Sequence, residues 1–380
     1  MHFGPRGRAG RPRRPRRPAA EQLRSLGGER GGPARGRSRP PDDPRPSAGG
    51  DVSRGRLRAP LVWALLAGVA GCASAGRVGG RTHFLKTGSA EEPGTYLGLP
   101  LRSGQILLAE AGNPYSLFFS LATRDYYDFT HAAVLVMEGG EPFVYEMTGE
   151  YKPGFDDRVT DGIEGGCRRT PLLEYARAYL YLEVFDPPAG VDGEAVARWA
   201  QEQYRRGVPF DPYFDASEHE RLFCTEFVAL ALEAGGAPPV KPVPLRRHPS
   251  LQRLLGWLGV ARESGLPAGL LADPARSVAA LGQLPSLGAA RGYFAAKREL
   301  HRRFTRDQRL GNVFALDGAQ LSLRRQLVVF LEGAVNLIHE ADDDPDAGEI
   351  DRRVQELAAR LFGAAPEHAA LEEQSPKEGS

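Results

Sequence analysis

The stretch Arg221-Leu222-Phe223-Cys224-Thr225-Glu226-Phe227 places a cysteine at the start of a strong helical pattern. Apolar residues then recur at helical spacing until Gly235-Gly236, which predicts a helix that begins at Cys224. A thiol at a helix N-terminus lies at the positive end of the helix dipole, beside backbone N–H groups that have no intrahelical partner. This position lowers the pKa of a thiol and supplies donors for an oxyanion. The competing interpretation is a buried cysteine that packs as a small apolar side chain.

The 380 residues exceed one typical domain, and their composition is uneven. Residues 1–53 are rich in Arg, Pro and Gly, so they are predicted to be a disordered segment or a stretch that is not translated. A formal net charge of +1 gives no argument for a nucleic-acid partner. The three cysteines, Cys72, Cys167 and Cys224, are irregularly spaced, which argues against a disulfide framework or a zinc cluster. No phosphate-binding Gly-rich loop lies between a strand and a helix, which argues against a dinucleotide or ATP enzyme. We expect no cofactor and no metal site.

Residues 54–72 have the features of an export signal. Three arginines precede the apolar run 61–70, which is too short to cross a bilayer. The run ends at Val69-Ala70-Gly71-Cys72, a pattern that resembles a bacterial lipobox and predicts lipid attachment to Cys72. An ordinary secretory signal that is cleaved slightly later is the alternative. Ala73 after the cysteine is typical of outer-membrane lipoproteins, so we expect a membrane-anchored lipoprotein of a bacterial cell envelope, facing the periplasm.

A β-hairpin is predicted after the Gly-rich linker 73–99. An apolar strand ends at Gly139-Gly140, and Pro142–Met147 forms the returning strand. His131 lies at the mouth of the first strand, and alternation places Glu146 on the same face of the second strand as Val144. Taken alone, His131 is better explained as a satisfied strand-end histidine, and Glu146 as a solvated edge residue.

The three polar residues are more informative together. Antiparallel pairing can bring Glu146 beside His131, where a carboxylate orients an imidazole and stabilises its charged form. With Cys224 they supply the nucleophile, the base and the orienting group that covalent acyl transfer requires. The sequence therefore predicts a catalytic triad of Cys224, His131 and Glu146.

The order of these motifs resembles a known family. Three motifs carry the resemblance: Gly104-Gln105-Ile106-Leu107-Leu108, Thr130-His131-Ala132, and Phe223-Cys224-Thr225-Glu226-Phe227-Val228. They are similar to the permuted papain-like amidases of the YiiX group, which are related to NlpC-type cysteine peptidases and in which the histidine strand precedes the cysteine helix. The family motif usually reads Tyr-Cys-Ser-Glu-Leu-Val, so this chain departs from it mildly. The resemblance covers residues 100–240 and implies an α+β, circularly permuted papain-like domain with an antiparallel sheet.

Residues 241–365 are predicted to form an α-helical C-terminal extension, followed by a polar tail at 366–380. One predicted helix carries a run of cations that reads as a solvated face or as a face for anionic lipid headgroups. Those cations are Lys297, Arg298, Arg302, Arg303, Arg306 and Arg309. Upstream, the Gly-rich segment 162–169 is predicted to be a flexible loop, in which Cys167 is a spectator thiol or lines the cleft.

The predicted function is that of a cysteine hydrolase. It would cleave an amide or ester bond of a cell-envelope peptide, or of an N-acyl amino acid or lipid, through a thioacyl intermediate. The lipid anchor at Cys72 would hold it on a membrane, and no nucleic-acid partner is expected. Two alternatives stay open: an acyltransferase or phospholipase of the same fold, and a catalytically silent envelope-binding lipoprotein.

Overall fold

A computed structural model describes most of the chain after residue 81. The described residues are 82–86, 96–151, 163–257, 260, 263–307, 309–317, 320–338 and 346–363. Four predictions lie outside the described residues, namely the segment 1–53, the signal 54–72, the lipid attachment at Cys72 and the tail 366–380.

The described residues contain one large antiparallel sheet. Its strands are β1 (His83–Lys86), β2 (Ile106–Glu110), β3 (His131–Glu138), β4 (Glu141–Tyr151), β5 (Ile163–Pro171), β6 (Tyr181–Phe185) and β9 (Ser277–Gly282). They are ordered β1-β9-β6-β2-β3-β4-β5. In the β3–β4 hairpin Val134 pairs with Tyr145 and Leu135 with Val144. The predicted hairpin is therefore present, and its turn at Gly139 and Gly140 uses positive φ angles that glycine adopts readily.

Helices surround this sheet. They are α1 (Pro114–Ala122), α2 (Leu172–Ala176), α3 (Gly193–Arg206), α4 (Cys224–Ala234), α5 (Pro249–Trp257), α6 (Leu287–Asp307), α7 (Leu310–Val313), α8 (Arg325–Val335) and α9 (Ala347–Phe362). Two short strand pairs complete the elements, β7 (Val243–Pro244) with β8 (Ser264–Gly265), and β10 (Phe314–Asp317) with β11 (Gln320–Leu323). The predicted mixed fold of helices and a large antiparallel sheet is thus confirmed, and α4 begins at Cys224 as predicted.

Two apolar cores lie on the two faces of the sheet. Phe227 and Val228 of α4 belong to the larger core, together with Tyr145 of β4. Val144 belongs to the smaller core, as does Tyr179 before β6. Alternate residues of β4 therefore enter different cores, as the period of a strand requires.

The predicted flexible loop at 162–169 is wrong, because residues 163–169 lie in β5, which pairs with β4 over nine residues. Its glycines serve a different purpose from the one that the sequence indicates. A Cβ on Gly165 would lie 2.2 Å from the Thr148 carbonyl oxygen, and one on Gly166 would lie 2.7 Å from the Val208 carbonyl oxygen. These glycines therefore permit close backbone approach, which is the second common reason for glycine in a strand.

The predicted helical extension also contributes strands. β9 lies between β1 and β6 in the large sheet, and the small side chains of Ala279 and Ala280 are fully buried there. β10 and β11 also lie within residues 241–365, which were predicted to be α-helical. Among the described residues, the sheet is therefore built from both sides of the predicted boundary at residue 240.

The cations of α6 do not form one free basic face. Lys297 is 1% exposed and lies in the interior. Other cations of this helix are paired with carboxylates: Arg298 with Asp351, and Arg302 and Arg303 with Glu299. Arg309, just beyond the helix, pairs with Asp307. Within the described ranges, no helix combines the length and the apolar character needed to cross a bilayer.

Candidate active site

Cys224 is the first residue of α4, and its side chain is buried. The preceding residue, Phe223, has extended backbone angles and caps the helix. The first helical hydrogen bond runs from the Phe227 N–H to the Phe223 carbonyl oxygen at 2.9 Å. The N–H groups of Cys224 and Thr225 precede that bond, so they lie at the positive end of the helix dipole. The thiol is therefore placed where a developing oxyanion can be stabilised.

His131 and Glu146 are hydrogen-bonded across the β3–β4 hairpin. The distance from His131 Nε2 to Glu146 Oε2 is 2.7 Å, and both residues are less than 10% exposed. The strand register explains this contact. Val134 pairs with Tyr145, so the next residues on the two strands, Ala133 and Glu146, lie opposite each other. His131 is two residues before Ala133, so it lies diagonally across from Glu146 on the same face. Since Nε2 contacts the carboxylate, Nδ1 is the ring nitrogen left for another partner.

The electrostatics of His131 link it to Cys224. Burial lowers the pKa of His131, but the charge of the Cys224 thiolate and hydrogen bonds to Cys224 and Glu146 outweigh burial. The pKa of His131 is raised to about 10. Contacts with Cys224 and Glu146 therefore favour the charged form of the His131 imidazole. The structure thus brings together all three of the predicted side chains.

Tyr179 is a fourth member of this group that the sequence analysis did not predict. Its ring stacks on His131 with the ring centroids 5.5 Å apart and the planes 19° from parallel. Its hydroxyl donates to Glu146 Oε2 at 3.4 Å. Tyr179 therefore restricts both the ring plane of His131 and the position of the carboxylate. Nothing in the local sequence marks it, because it reads as an ordinary aromatic residue at the start of a strand.

An apolar cavity opens beside the nucleophile. Its volume is about 110 Å³, and both His131 and Cys224 line it. Most of its walls are aromatic or aliphatic, and several of these residues come from the segment after 240: Leu245, Leu255, Val260, Leu266 and Ala268. This apolar lining is typical of a pocket that binds an apolar group.

Comparisons with known proteins give one similar solved structure. Neither the family models nor the curated proteins contain a match to this chain. The similar structure is that of metalloprotein YiiX from Escherichia coli O157:H7, DUF1105. It is 20% identical to this chain, with a TM-score of 0.36, over 47% of this chain and 95% of YiiX. In the part of this chain that is described, no group of three or more His, Cys, Asp or Glu side chains could hold a metal ion.

Cys167 lies on β5 and contributes no second reactive thiol. Burial raises its pKa to about 12, and the charge of Glu146 acts in the same direction. Its backbone N–H donates to the Val208 carbonyl oxygen at 3.3 Å. A thiol with so high a pKa is almost entirely protonated at neutral pH and reacts slowly. Of the two interpretations of Cys167, a spectator thiol or a residue that lines the cleft, its high pKa favours the first.

Glu226 is a buried carboxylate in the first turn of α4. It accepts a hydrogen bond from the Phe223 N–H at 3.4 Å and lies 2.7 Å from His219 Nδ1. Burial raises the pKa of Glu226 to about 7, although the bonds from His219 and Phe223 oppose the shift. The carboxylate therefore gains charge near neutral pH, two residues after the candidate nucleophile.

We expect Glu226 to make stability depend on pH. Because its pKa is raised from 4.5 to about 7 on folding, the folded state binds more protons than the unfolded state in this interval. Its contribution to the free energy of unfolding therefore falls as pH rises, by at most about 1.4 kcal/mol per pH unit for one proton. Glu226→Gln should flatten this part of the curve in urea denaturation.

The matched control is Glu233→Gln, which makes the same change on the same helix at a partly exposed position. Glu233→Gln should show the same pH dependence of the free energy of unfolding as the parent. An unchanged slope in Glu226→Gln would show that Glu226 keeps an ordinary pKa.

Proposed function

We propose that this chain is a cysteine hydrolase with a permuted papain-like catalytic unit, acting on an amide or ester that carries an apolar acyl group. One observation carries the proposal: the hydrogen-bonded pair of His131 and Glu146 lies beside Cys224 at the wall of an apolar cavity. Of the predicted substrates, the cavity favours an N-acyl amino acid or a lipid over a cell-wall peptide. A peptide of charged and small residues would leave that apolar surface unfilled.

Acylation begins with the Cys224 thiolate. Its sulfur attacks the acyl carbonyl carbon, and the carbonyl electron pair moves to oxygen as the oxyanion forms. The N–H groups at the start of α4 stabilise this oxyanion. His131, as imidazolium, gives its proton to the leaving amine or alcohol while the bond to carbon breaks. The products of this half-reaction are a thioester on Cys224 and the free leaving group.

Deacylation reverses these roles. Neutral His131 takes a proton from water, whose oxygen attacks the thioester carbonyl carbon. The carbon–sulfur bond then breaks, which releases the carboxylic acid and restores the thiolate beside the imidazolium. Glu146 keeps the ring oriented in both halves, because it binds Nε2 and leaves Nδ1 for the proton transfers.

We also propose where the protein is located, on the basis of residues 54–72, which lie outside the described residues. A lipid on Cys72 would tether the catalytic unit to the periplasmic face of an outer membrane, where acylated substrates are concentrated. This location agrees with the choice of an acylated substrate, since enzyme and substrate would share a surface.

The test of the function is hydrolysis of N-acyl amino acids whose chains run from about 2 to about 16 carbons. Each CH₂ that enters the cavity should raise kcat/KM about threefold to fourfold, until the cavity is full. Unacylated cell-wall peptides serve as the comparison, and faster cleavage of those peptides would contradict the apolar substrate class. Product analysis with and without an acceptor amine separates hydrolysis from acyl transfer.

Phe214 is expected to limit the chain length that the cavity accepts. It has a φ of 55°, which is unfavourable for a non-glycine residue, and its ring lines the cavity. Ring centroids of Phe119 and Phe223 each lie 5.4 Å from it. Phe214→Ala should therefore move the kcat/KM optimum to chains longer by at least about two carbons.

Phe84→Ala provides a control outside the cavity, since this phenylalanine is on β1 and is 42% exposed. It should leave the chain-length profile unchanged. An identical optimum in Phe214→Ala and the parent would mean that another wall sets the limit.

A further inference from the structure

A fully buried ion pair joins the C-terminal extension to the central sheet. Lys297 Nζ of α6 lies 2.6 Å from Glu110 Oε2 at the end of β2, and their side chains are 1% and 0% exposed. Burying two charges is costly unless every polar atom is satisfied. This pair meets that condition and plays no part in the proposed chemical steps, so its location needs an explanation.

Glu110 is surrounded by donors. Oε1 accepts from Ser116 Oγ at 2.5 Å, from the Tyr293 hydroxyl at 3.0 Å and from the Gly112 N–H at 3.0 Å. Oε2 accepts from Lys297 and, at 3.3 Å, from Thr130 Oγ1. Five donors thus hold one carboxylate, which gives a rigid polar centre of the kind that specifies a single geometry.

The hydrogen-bonded centre around Glu110 also contacts residues 128–130, which lead directly to His131. Thr130 is the residue before His131, and its N–H also donates to the Ala109 carbonyl oxygen at 3.2 Å. Lys297 Nζ donates to the Asp128 carbonyl oxygen at 2.9 Å. The Phe294 ring of α6 packs on Phe129, with the centroids 5.4 Å apart. Residues 128–130 are therefore fixed by α6 through two hydrogen-bonding routes and one aromatic contact.

We propose that Lys297, acting through Glu110 and Thr130, is a positioning residue for His131, so that α6 belongs to the catalytic unit. This inference rests on the proposed function, because it assumes that His131 acts on Cys224. His131 is the first residue of β3, where the strand has fewer ladder partners than at its centre. Additional restraint is needed there, since a misplacement of about 1 Å costs catalysis heavily.

The experiment measures the pH dependence of Cys224 alkylation by iodoacetamide, from about pH 5 to about pH 10. The full chain is used with Cys72→Ala and Cys167→Ala, which leave Cys224 as the single thiol. Four variants are compared in this background: Lys297→Met, Thr130→Val, Ser116→Ala and His131→Ala. Thr130→Val and Ser116→Ala each remove one hydroxyl donor to Glu110, but only Thr130 adjoins His131.

If Lys297 positions His131, Lys297→Met lowers the alkylation rate of Cys224 at about pH 6 by about tenfold relative to the parent. It also moves the apparent pKa of the thiol toward about 8.5. Thr130→Val shifts the profile in the same direction by a smaller amount. Ser116→Ala keeps the parent profile, although it removes a hydrogen bond to the same carboxylate. If the network were merely structural, Lys297→Met, Thr130→Val and Ser116→Ala would all lower stability. The pH profiles of Thr130→Val and Ser116→Ala would then be the same.

Two results would overturn the proposal, and they are distinguishable. Parent-like profiles in Thr130→Val and in folded Lys297→Met would refute positioning and leave the proposed function in place. If Lys297→Met does not fold, the comparison of Thr130→Val with Ser116→Ala decides alone. Slow labelling in the parent that His131→Ala does not change would refute the nucleophile–base pair, and positioning with it.

Discussion

Cys224→Ser is expected to lower kcat for hydrolysis of the best N-acyl substrate by at least about a thousandfold, with the free energy of unfolding almost unchanged. The substitution keeps the shape of the side chain. A hydroxyl is far less acidic than a thiol, however, so the charged His131 cannot sustain the corresponding anion. Initial-rate kinetics measure the loss, and urea denaturation checks the fold.

Cys167→Ser is the matched control, since the pKa of this second described thiol is raised to about 12. Its kcat should stay close to that of the parent. Retained hydrolysis in Cys224→Ser would assign the activity to another nucleophile. A cellular effect that survives Cys224→Ser while the parent shows no hydrolysis would favour the silent envelope-binding lipoprotein.

The second large effect concerns stability. Lys297→Met should lower the free energy of unfolding by about 3–5 kcal/mol, because it leaves the charge of Glu110 buried without its counter-ion. The double variant Glu110→Gln/Lys297→Met should recover a substantial part of this loss, since no unpaired charge remains. Chemical denaturation of the two single variants and the double variant measures the coupling.

Arg298→Met is the control for this experiment. Its side chain is the next along α6, is 45% exposed and pairs with Asp351 at 2.7 Å. An exposed pair of this kind contributes about 0–1 kcal/mol, so the variant should unfold near the parent. Equal losses in Lys297→Met and Arg298→Met would contradict the buried-pair explanation.

Local patterns predicted much of the candidate site. The helix beginning at Cys224 and the hairpin that carries Glu146 follow from residue periodicity and from glycine turns. Tyr179 could not be predicted in this way. It reaches His131 only because β6 pairs with β2, whose other neighbour is β3, and such long-range pairing leaves no local signal.

The structural role of the glycines in β5 could not be predicted from the sequence for a similar reason. Gly165 and Gly166 read as loop residues, because glycine is common where a chain turns. Their actual role depends on the backbones of β4 and of residue Val208, which are close in space. Only the assembled sheet distinguishes a flexible loop from a strand that another backbone approaches closely.

By itself, the sequence determined where the candidate nucleophile lies on its helix and which face of the hairpin carries Glu146. Both follow from short-range periodicity, which side chains impose on the backbone before any tertiary contact forms. The tertiary structure alone decided the environment of Lys297. In the sequence it is one of several cations on a helix, but in the fold it contacts Glu110, 187 residues earlier. Burial and charge pairing depend on such distant neighbours, so they are properties of the packed chain.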